Sequence, residues 1–297
     1  MDFAILIQQA HDLFIVPLEL AFMQRAMCAT VLIGIVSGVM GAYIITRGLA
    51  FLSDALSHSI LPGVALASLN SAGASTPLML GGLTAGILSA LVIGVLTRGR
   101  RIQEDTAIGI VFSGMLALGI GIISGPGNFA TDLQHALIGN VLAVSADDLM
   151  LMVIMSIVVL LIVILLYKEF LLISFDPGLA ETLQLPAEGL RLLLLVLMSV
   201  AIVIGVQAVG IAMISATLVT PAATARLFTN QLWRMMIIAA TIGSLCGIIG
   251  MYISWHTGIA PSATIVLLMT GTFVLAFFFA PHKGYLWSLL GRSARKA

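Results

Sequence analysis

Nine stretches of this chain are apolar over close to the length of a membrane crossing, and no other feature restricts its fold as much. They fall at roughly 22–46, 49–69, 76–97, 106–124, 149–167, 191–209, 211–225, 235–255 and 261–280. The hydrocarbon core of a bilayer is about 30 Å thick, which a helix of about 20 residues crosses. No water is available there to satisfy backbone polar groups, so each crossing segment closes its own hydrogen bonds as a helix. The run 191–225 is too long for one span and too short for two full ones. Gly205, Gly210 and Pro221 predict a break there and a short or re-entrant piece. The expectation is an all-α integral membrane protein, a polytopic bundle of eight or nine transmembrane helices. Composition agrees, with 60% hydrophobic and 9% charged residues, where a soluble domain carries roughly 25% charged. A net charge of zero leaves no basic footprint for a nucleic-acid partner.

The first residues, "MDFAILIQQAHDLFIVPLEL", lack a basic n-region and a small-residue cleavage site. Asp2, Asp12 and Glu19 interrupt their apolar run. This reads as a surface-lying segment over 1–21 rather than a cleaved signal or a full span. Cys28 and Cys246 both lie within apolar stretches, with no CxxC and no Cys/His cluster. They read as small core residues, not as a disulfide or a thiolate metal site.

Orientation follows from the basic residues, which concentrate on cytoplasmic loops. Segment ends near 47, 98–105, 168–190, 226–234 and 281–297, with Arg191 at the edge of 168–190, hold twelve of the thirteen Lys and Arg, and only Arg25 is left over. Those ends are expected inside, with a cytoplasmic C-terminal tail over 281–297; nine crossings then put the N-terminus outside. Two connections are longer than a bundle needs. The outer one, 125–148, is expected to contain a short helix around 132–143. The inner one, 168–190, reads as helical pieces split by "DPG" and "LPAEG". It is either a docking surface for a cytoplasmic partner or a packed connector.

The chemistry concentrates in "FLSDALSHSILPG", residues 51–63. Asp54 and His58 are four apart and share one helix face. Pro62 removes the N–H that would bond the carbonyl of His58, which weakens the helix beside the pair. An ionisable pair inside a span is costly and points to function, against a plain structural Asp–His contact. Oxygen plus nitrogen ligands suit Mn²⁺, Fe²⁺ or Zn²⁺ and not a soft Cu⁺ site. One helix supplies two ligands where such an ion takes four to six. A second copy of the chain, water or the freed carbonyl would supply the rest. His135, with Asp132 one turn before it, reads as an outer-loop contact or a metal entry point. His11, His256 and His282 lie near membrane boundaries, and Trp233, Trp255 and Trp287 flank segment ends as interfacial anchors do. The fifteen methionines follow no repeated spacing and read as core packing. There is no GxxxxGK[ST] loop and no HExxH, so neither ATP hydrolysis nor metalloprotease chemistry is expected on this chain.

"RGLAFLSDALSHSILPGVALA" (47–67) resembles the hallmark stretch of permease subunits of manganese/zinc/iron-type ABC importers. "FMQRAM" (22–27), "EDTAIGIVFSGMLALG" (104–119), "DLQHALIGNVLAVSADDL" (132–149) and "QAVGIAMISATLVTPAATARL" (207–227) agree in the same order. The resemblance implies a single permease domain over 1–297 with a fold similar to the cobalamin-importer (type II) permease. It implies a homodimer with an ABC ATPase dimer on loop 168–190, fed by an extracytoplasmic metal-binding protein. Asp54 and His58 would be the metal site on the path, and the ion would be cargo rather than a permanently bound cofactor. The chain would be no enzyme, ATP being hydrolysed on a separate subunit, and it would lie in the cell membrane. The rival is an ion- or proton-coupled carrier with Asp54 as the proton site. An intramembrane enzyme has less support. A siderophore or cobalamin permease would want a wide path without metal ligands.

Overall fold

The computed structural model describes residues 19–71, 75–100, 102–124 and 141–280. Expectations for 1–18, most of the outer loop with Asp132 and His135, His11, His282, Trp287 and the tail lie outside the described residues. The described chain is helical throughout. α1 is Ala21–Arg47, α2 Ala50–Ser59, α3 Leu61–Ser71, α4 Ser75–Leu96 and α5 Glu104–Ile123. α6 is Ala146–Leu165, α7 Tyr167–Phe175, α8 Pro177–Thr182, α9 Ala187–Val209, α10 Ile211–Phe228, α11 Leu232–Thr257 and α12 Pro261–Phe279. Short 3-10 turns at Arg98–Arg100 and Val141–Ala143 lead into α5 and α6.

Among the described residues eight helical segments are long and apolar enough to cross a membrane, with α2 and α3 together forming one, Ala50–Leu69. α10 is the ninth leg and is shorter. Arg191, near the start of α9, bonds Thr97 and Glu188 and lies beside Glu104. Arg226, near the end of α10, donates to the Ile45 carbonyl at the end of α1 (2.6 Å). α9 and α10 therefore leave from and return to the same end of the bundle as Arg47. They turn at Gly210, whose φ of 86° and ψ of 162° are open to glycine alone among the common residues. The ambiguous run 191–225 resolves as a full helix and a shorter return leg. α10 keeps Pro221 inside it; with 18 residues it is about 27 Å long.

The centre of the bundle is α1, packed along its length on α11. A Cβ at Gly34 would meet the backbone of Gly243 and Ser244, and one at Gly38 the backbone of Ala239 and Ala240. Small residues let membrane helices approach this closely, and dispersion between the two backbones replaces the missing hydrophobic drive. Ser244 Oγ donates across the seam to the Val31 carbonyl (3.3 Å). Around it lie buried Met40, Tyr43, Ile44, Leu194, Met198, Leu218 and Met235. The outward faces of α4, α5, α6 and α12 carry exposed Leu88, Val95, Ile110, Ile157, Leu161, Ile164, Leu267 and Leu275, as lipid-facing surfaces do. Trp233 and Trp255 sit exposed at the two ends of α11, as expected of interfacial anchors. Cys246 is buried but Cys28 is exposed. The expectation of a core role for Cys28 is thus corrected: α1 turns that side away from α11, and apolar sequence surrounds both faces of the helix.

Candidate metal site on the second span

The site begins where α1 stops. Gly48 takes a left-handed conformation (φ 72°) and its N–H bonds back to Ile44 and Ile45, while Leu49 N–H reaches the Ile44 carbonyl at 2.9 Å. This closes the orphan carbonyls of α1 and reverses the chain, so α2 starts only two residues later. Leu52, Ala55 and Leu56 are buried and turn one side of α2 into the bundle, where it packs on α4, α5, α9 and α10. Ser53, Ser57 and Ser59 are buried as well, but their hydroxyls donate to the carbonyls of Ala50, Asp54 and Ala55 at 2.7–2.8 Å. Such back-bonding satisfies the hydroxyls locally and loosens the helix.

What remains open is the stripe Phe51, Asp54 and His58. Phe51 is exposed, and the Asp54 and His58 side chains keep 43% and 26% of their surface. His58 Nε2 lies 3.9 Å from Asp54 Oδ1. That is outside hydrogen-bond range, so the two groups are not committed to each other. It is less than twice a ligand–metal distance of about 2.0–2.2 Å, so one ion can bridge them. The Nδ1 atom of His58 is buried without a hydrogen-bond partner. Its ring meets Phe112 of α5 edge-on (5.9 Å, 70°), and Phe112 meets Phe51 in the same way (6.0 Å, 75°). Phe112 thus sets the plane of the imidazole from a different helix. The helix breaks just past the pair: Gly63 and Val64 both donate to the Ile60 carbonyl at 3.1 Å, and α3 restarts at Leu61. Pro62 has no N–H for the His58 carbonyl, so the interruption falls where the sequence places it. α3 is then held hard against α4, where a Cβ at Gly63 would collide with the Gly81 carbonyl.

The pair predicted from spacing is therefore together, on one face, and incomplete. Among the described residues no three of His, Cys, Asp and Glu gather as a metal cluster. His256 is exposed near the end of α11, far along the chain from α2, and plays no part in the pair.

A second polar cluster escaped the sequence reading. At the end of the bundle marked by Arg47, Glu104 accepts from Arg47 Nη2 through both oxygens (3.2 and 3.3 Å). Arg191 Nη1 stands 3.9 Å from Glu104 and donates to Thr97 Oγ1 at 2.7 Å, and its Nη2 reaches the Gly94 carbonyl and Glu188. The cluster borders a cavity of about 690 Å³ that reaches Ile173, Pro177 and Leu185 of the α7–α9 stretch. From sequence, Arg47 and Arg191 read as topology markers, and Arg47 and Glu104 each open a stretch of the family resemblance; nothing there pairs Glu104 with Arg47, 57 residues away. The α7–α9 stretch itself bears out the predicted pieces: α7 and α8 divide at Asp176, whose Oδ1 accepts from Leu179 N–H (3.0 Å).

A helical bundle of eight membrane-length segments with a broken second span defines the class, a polytopic membrane protein. The chain belongs to the ABC 3 transport family, whose model matches residues 19–280. It is 45% identical over 271 residues to the manganese transport system membrane protein MntC of Listeria monocytogenes, covering 91% of this chain and 95% of that one. The solved PsaBC of Streptococcus pneumoniae in complex with Fab contains a chain with the same fold. The TM-score is 0.81 at 36% identity, over 93% of this chain and 98% of that one. An ABC transporter described as of metal-chelate type, solved facing inward, shares the fold at TM-score 0.70 and 13% identity, over 86% of this chain and 85% of that one.

Proposed function

We propose that this chain is the membrane permease of an ATP-driven importer of divalent transition metals, with Mn²⁺ as its cargo. The observation that carries the reading is the uncommitted Asp54–His58 pair, 3.9 Å apart on the open face of α2. Two chemically suited ligands that leave each other unbonded are poised to take an ion. A site with only two ligands per chain holds it loosely enough to let it go. The name of the Listeria relative supports manganese over zinc and iron, which share these ligand preferences.

The working unit of this proposal is a homodimer whose two Asp54–His58 pairs face a shared path. The chain acts as one permease domain. Loop 168–190 docks a cytoplasmic ABC ATPase dimer, which hydrolyses the ATP, and an extracytoplasmic binding protein delivers the ion. The Arg47 end of the bundle faces the cytoplasm, and the C-terminus with it, in the plasma or inner membrane. The clustering of Arg47, Arg191 and Arg226 at one end supports that orientation through the excess of basic residues on cytoplasmic loops.

The test is uptake of radiolabelled Mn²⁺ into proteoliposomes holding the chain with its ATPase, with Zn²⁺ and Fe²⁺ as competitors. ATP-dependent Mn²⁺ uptake that is lost in both Asp54→Ala and His58→Ala is the expected result. Uptake that persists without ATP and follows a proton gradient would instead establish a secondary carrier. Competition by Zn²⁺ or Fe²⁺ at lower concentration than Mn²⁺ would reassign the cargo.

A further inference from the structure

We propose that Glu104 is a positioning residue that couples the ATPase-facing loop to the helix of the metal ligands. The proposal rests on the importer reading above and deepens it. Glu104 is the first residue of α5, and its side chain is 24% exposed. It binds Arg47, 10% exposed, and stands 3.9 Å from Arg191, 18% exposed.

Each of the three residues lies at or near the end of an element that leads to a functional region. Arg47 is the last residue of α1, and α2 with its two ligands begins after Gly48 and Leu49. Arg191 lies in the first turns of α9, directly after loop 168–190, and ties down α4 through Thr97 and Gly94. α5 runs from Glu104 to Phe112, whose ring sets the plane of His58. One carboxylate thus joins the exit of the loop to both supports of the metal site: the backbone that begins α2 and the ring that holds its imidazole.

The geometry of the cluster suits a switch better than a fixed staple. Glu104 holds Arg47 through Nη2 alone, at 3.2 and 3.3 Å, and stands just outside hydrogen-bond range of Arg191, so a shift of about 1 Å exchanges one partner for the other. Arg47 Nη1 is buried without a partner, a spare donor that a rearranged Glu104 or a moved carbonyl can occupy. The adjoining cavity of about 690 Å³ lies between the cluster and the α7–α9 stretch and gives that stretch room to move inward. A largely buried ionic cluster is costly compared with apolar packing. Two discrete arrangements of one contact are what a physical coupling element requires. Displacement of the loop by the ATPase would pull Arg191 toward or away from Glu104, and the release or capture of Arg47 would reset the start of α2.

The experiment uses the chain co-assembled with its ATPase in proteoliposomes, with ATP hydrolysis and Mn²⁺ uptake measured on the same preparation. Glu104→Gln is expected to keep hydrolysis within about twofold of wild type while Mn²⁺ transported per ATP falls at least tenfold. Equilibrium Mn²⁺ binding to the detergent-solubilised assembly should stay within about threefold. Arg47→Lys keeps the charge and loses the planar fork; it should show a smaller loss in the same ratio, and it carries the test if Glu104→Gln does not assemble. Wild-type Mn²⁺ per ATP in an assembled variant would overturn the proposal. So would hydrolysis and uptake falling in parallel, or failure of both variants to assemble, since each describes a purely structural contact. Absence of ATP-driven Mn²⁺ uptake in the wild type would overturn the importer reading and this proposal with it. A wild type that transports beside a Glu104→Gln variant that transports equally well per ATP would overturn this proposal alone.

Discussion

The seam between α1 and α11 and the ligand face of α2 are separated by a single reversal at Gly48, yet they are built on opposite terms. Along the seam two backbones touch at Gly34 and Gly38, and the Ser244 hydroxyl that crosses it finds a carbonyl; the buried α1 hydroxyls without a partner, Ser37 Oγ and Tyr43 Oη, carry no charge. Along α2 two ionisable side chains stay half open, one imidazole nitrogen lacks a partner, and the helix breaks within a turn of them. A finished contact cannot change without unfolding, whereas an unfinished one can accept an ion and release it. The seam supplies a fixed frame, and a membrane protein can keep costly polar groups loose only where such a frame holds their helix.

The contrast is broken most severely by Gly38→Leu. A Cβ there meets backbone rather than a flexible side chain, so the seam must open, at a cost of about 3 kcal/mol, the upper end for overpacking. The expected result is loss of folded protein, read as membrane yield and thermal unfolding in detergent. Asp54→Ala and His58→Ala come next and act on the other side of the comparison. Mn²⁺ uptake should fall at least about 100-fold with yield and unfolding temperature unchanged; a drop in stability would mean that the pair is a structural contact after all. Phe112→Leu keeps an apolar, though smaller, side chain but loses the ring edge against His58, worth about 1 kcal/mol. Equilibrium Mn²⁺ binding should weaken about fivefold, measured by calorimetry on the solubilised assembly. The smallest effect belongs to Pro62→Ala. It restores an N–H for the His58 carbonyl, a net hydrogen bond of about 1 kcal/mol. It should stiffen the α2–α3 junction and slow uptake severalfold while binding is retained, seen as a lower maximal rate at unchanged half-saturation. A faster variant would show that the break is no aid to transport.

The span boundaries were legible because a run of twenty apolar residues has one physical use. So was the Asp54–His58 pair, since spacing of four is enough to put two side chains on one helix face. The broken junction at Ile60 was legible from Pro62, whose missing N–H is covalent fact. Phe112 was not, because its meeting with His58 depends on how α5 lies against α2. The exposed side of α1 at Cys28 was hidden for a related reason. In a membrane both the lipid-facing and the buried sides of a helix are apolar, so no stripe of polarity marks which is which. Run 191–225 could be read only as interrupted. That α10 returns to the end from which α9 left is settled by Arg226 on the Ile45 carbonyl and Arg191 beside Glu104.

By itself, then, the sequence determined that the chain lies in a bilayer as helices, where those helices begin and end, and which two ionisable side chains one span presents together. These follow from local chemistry: hydrocarbon admits no unpaired backbone, and helical spacing places neighbours. Only the tertiary structure decided that the pair stays open and uncommitted, that Phe112 orients its imidazole, and that Glu104 gathers Arg47 and Arg191 from helices far apart in the chain. Those relations depend on rotation and approach of packed helices. Between two apolar surfaces, fit alone sets both.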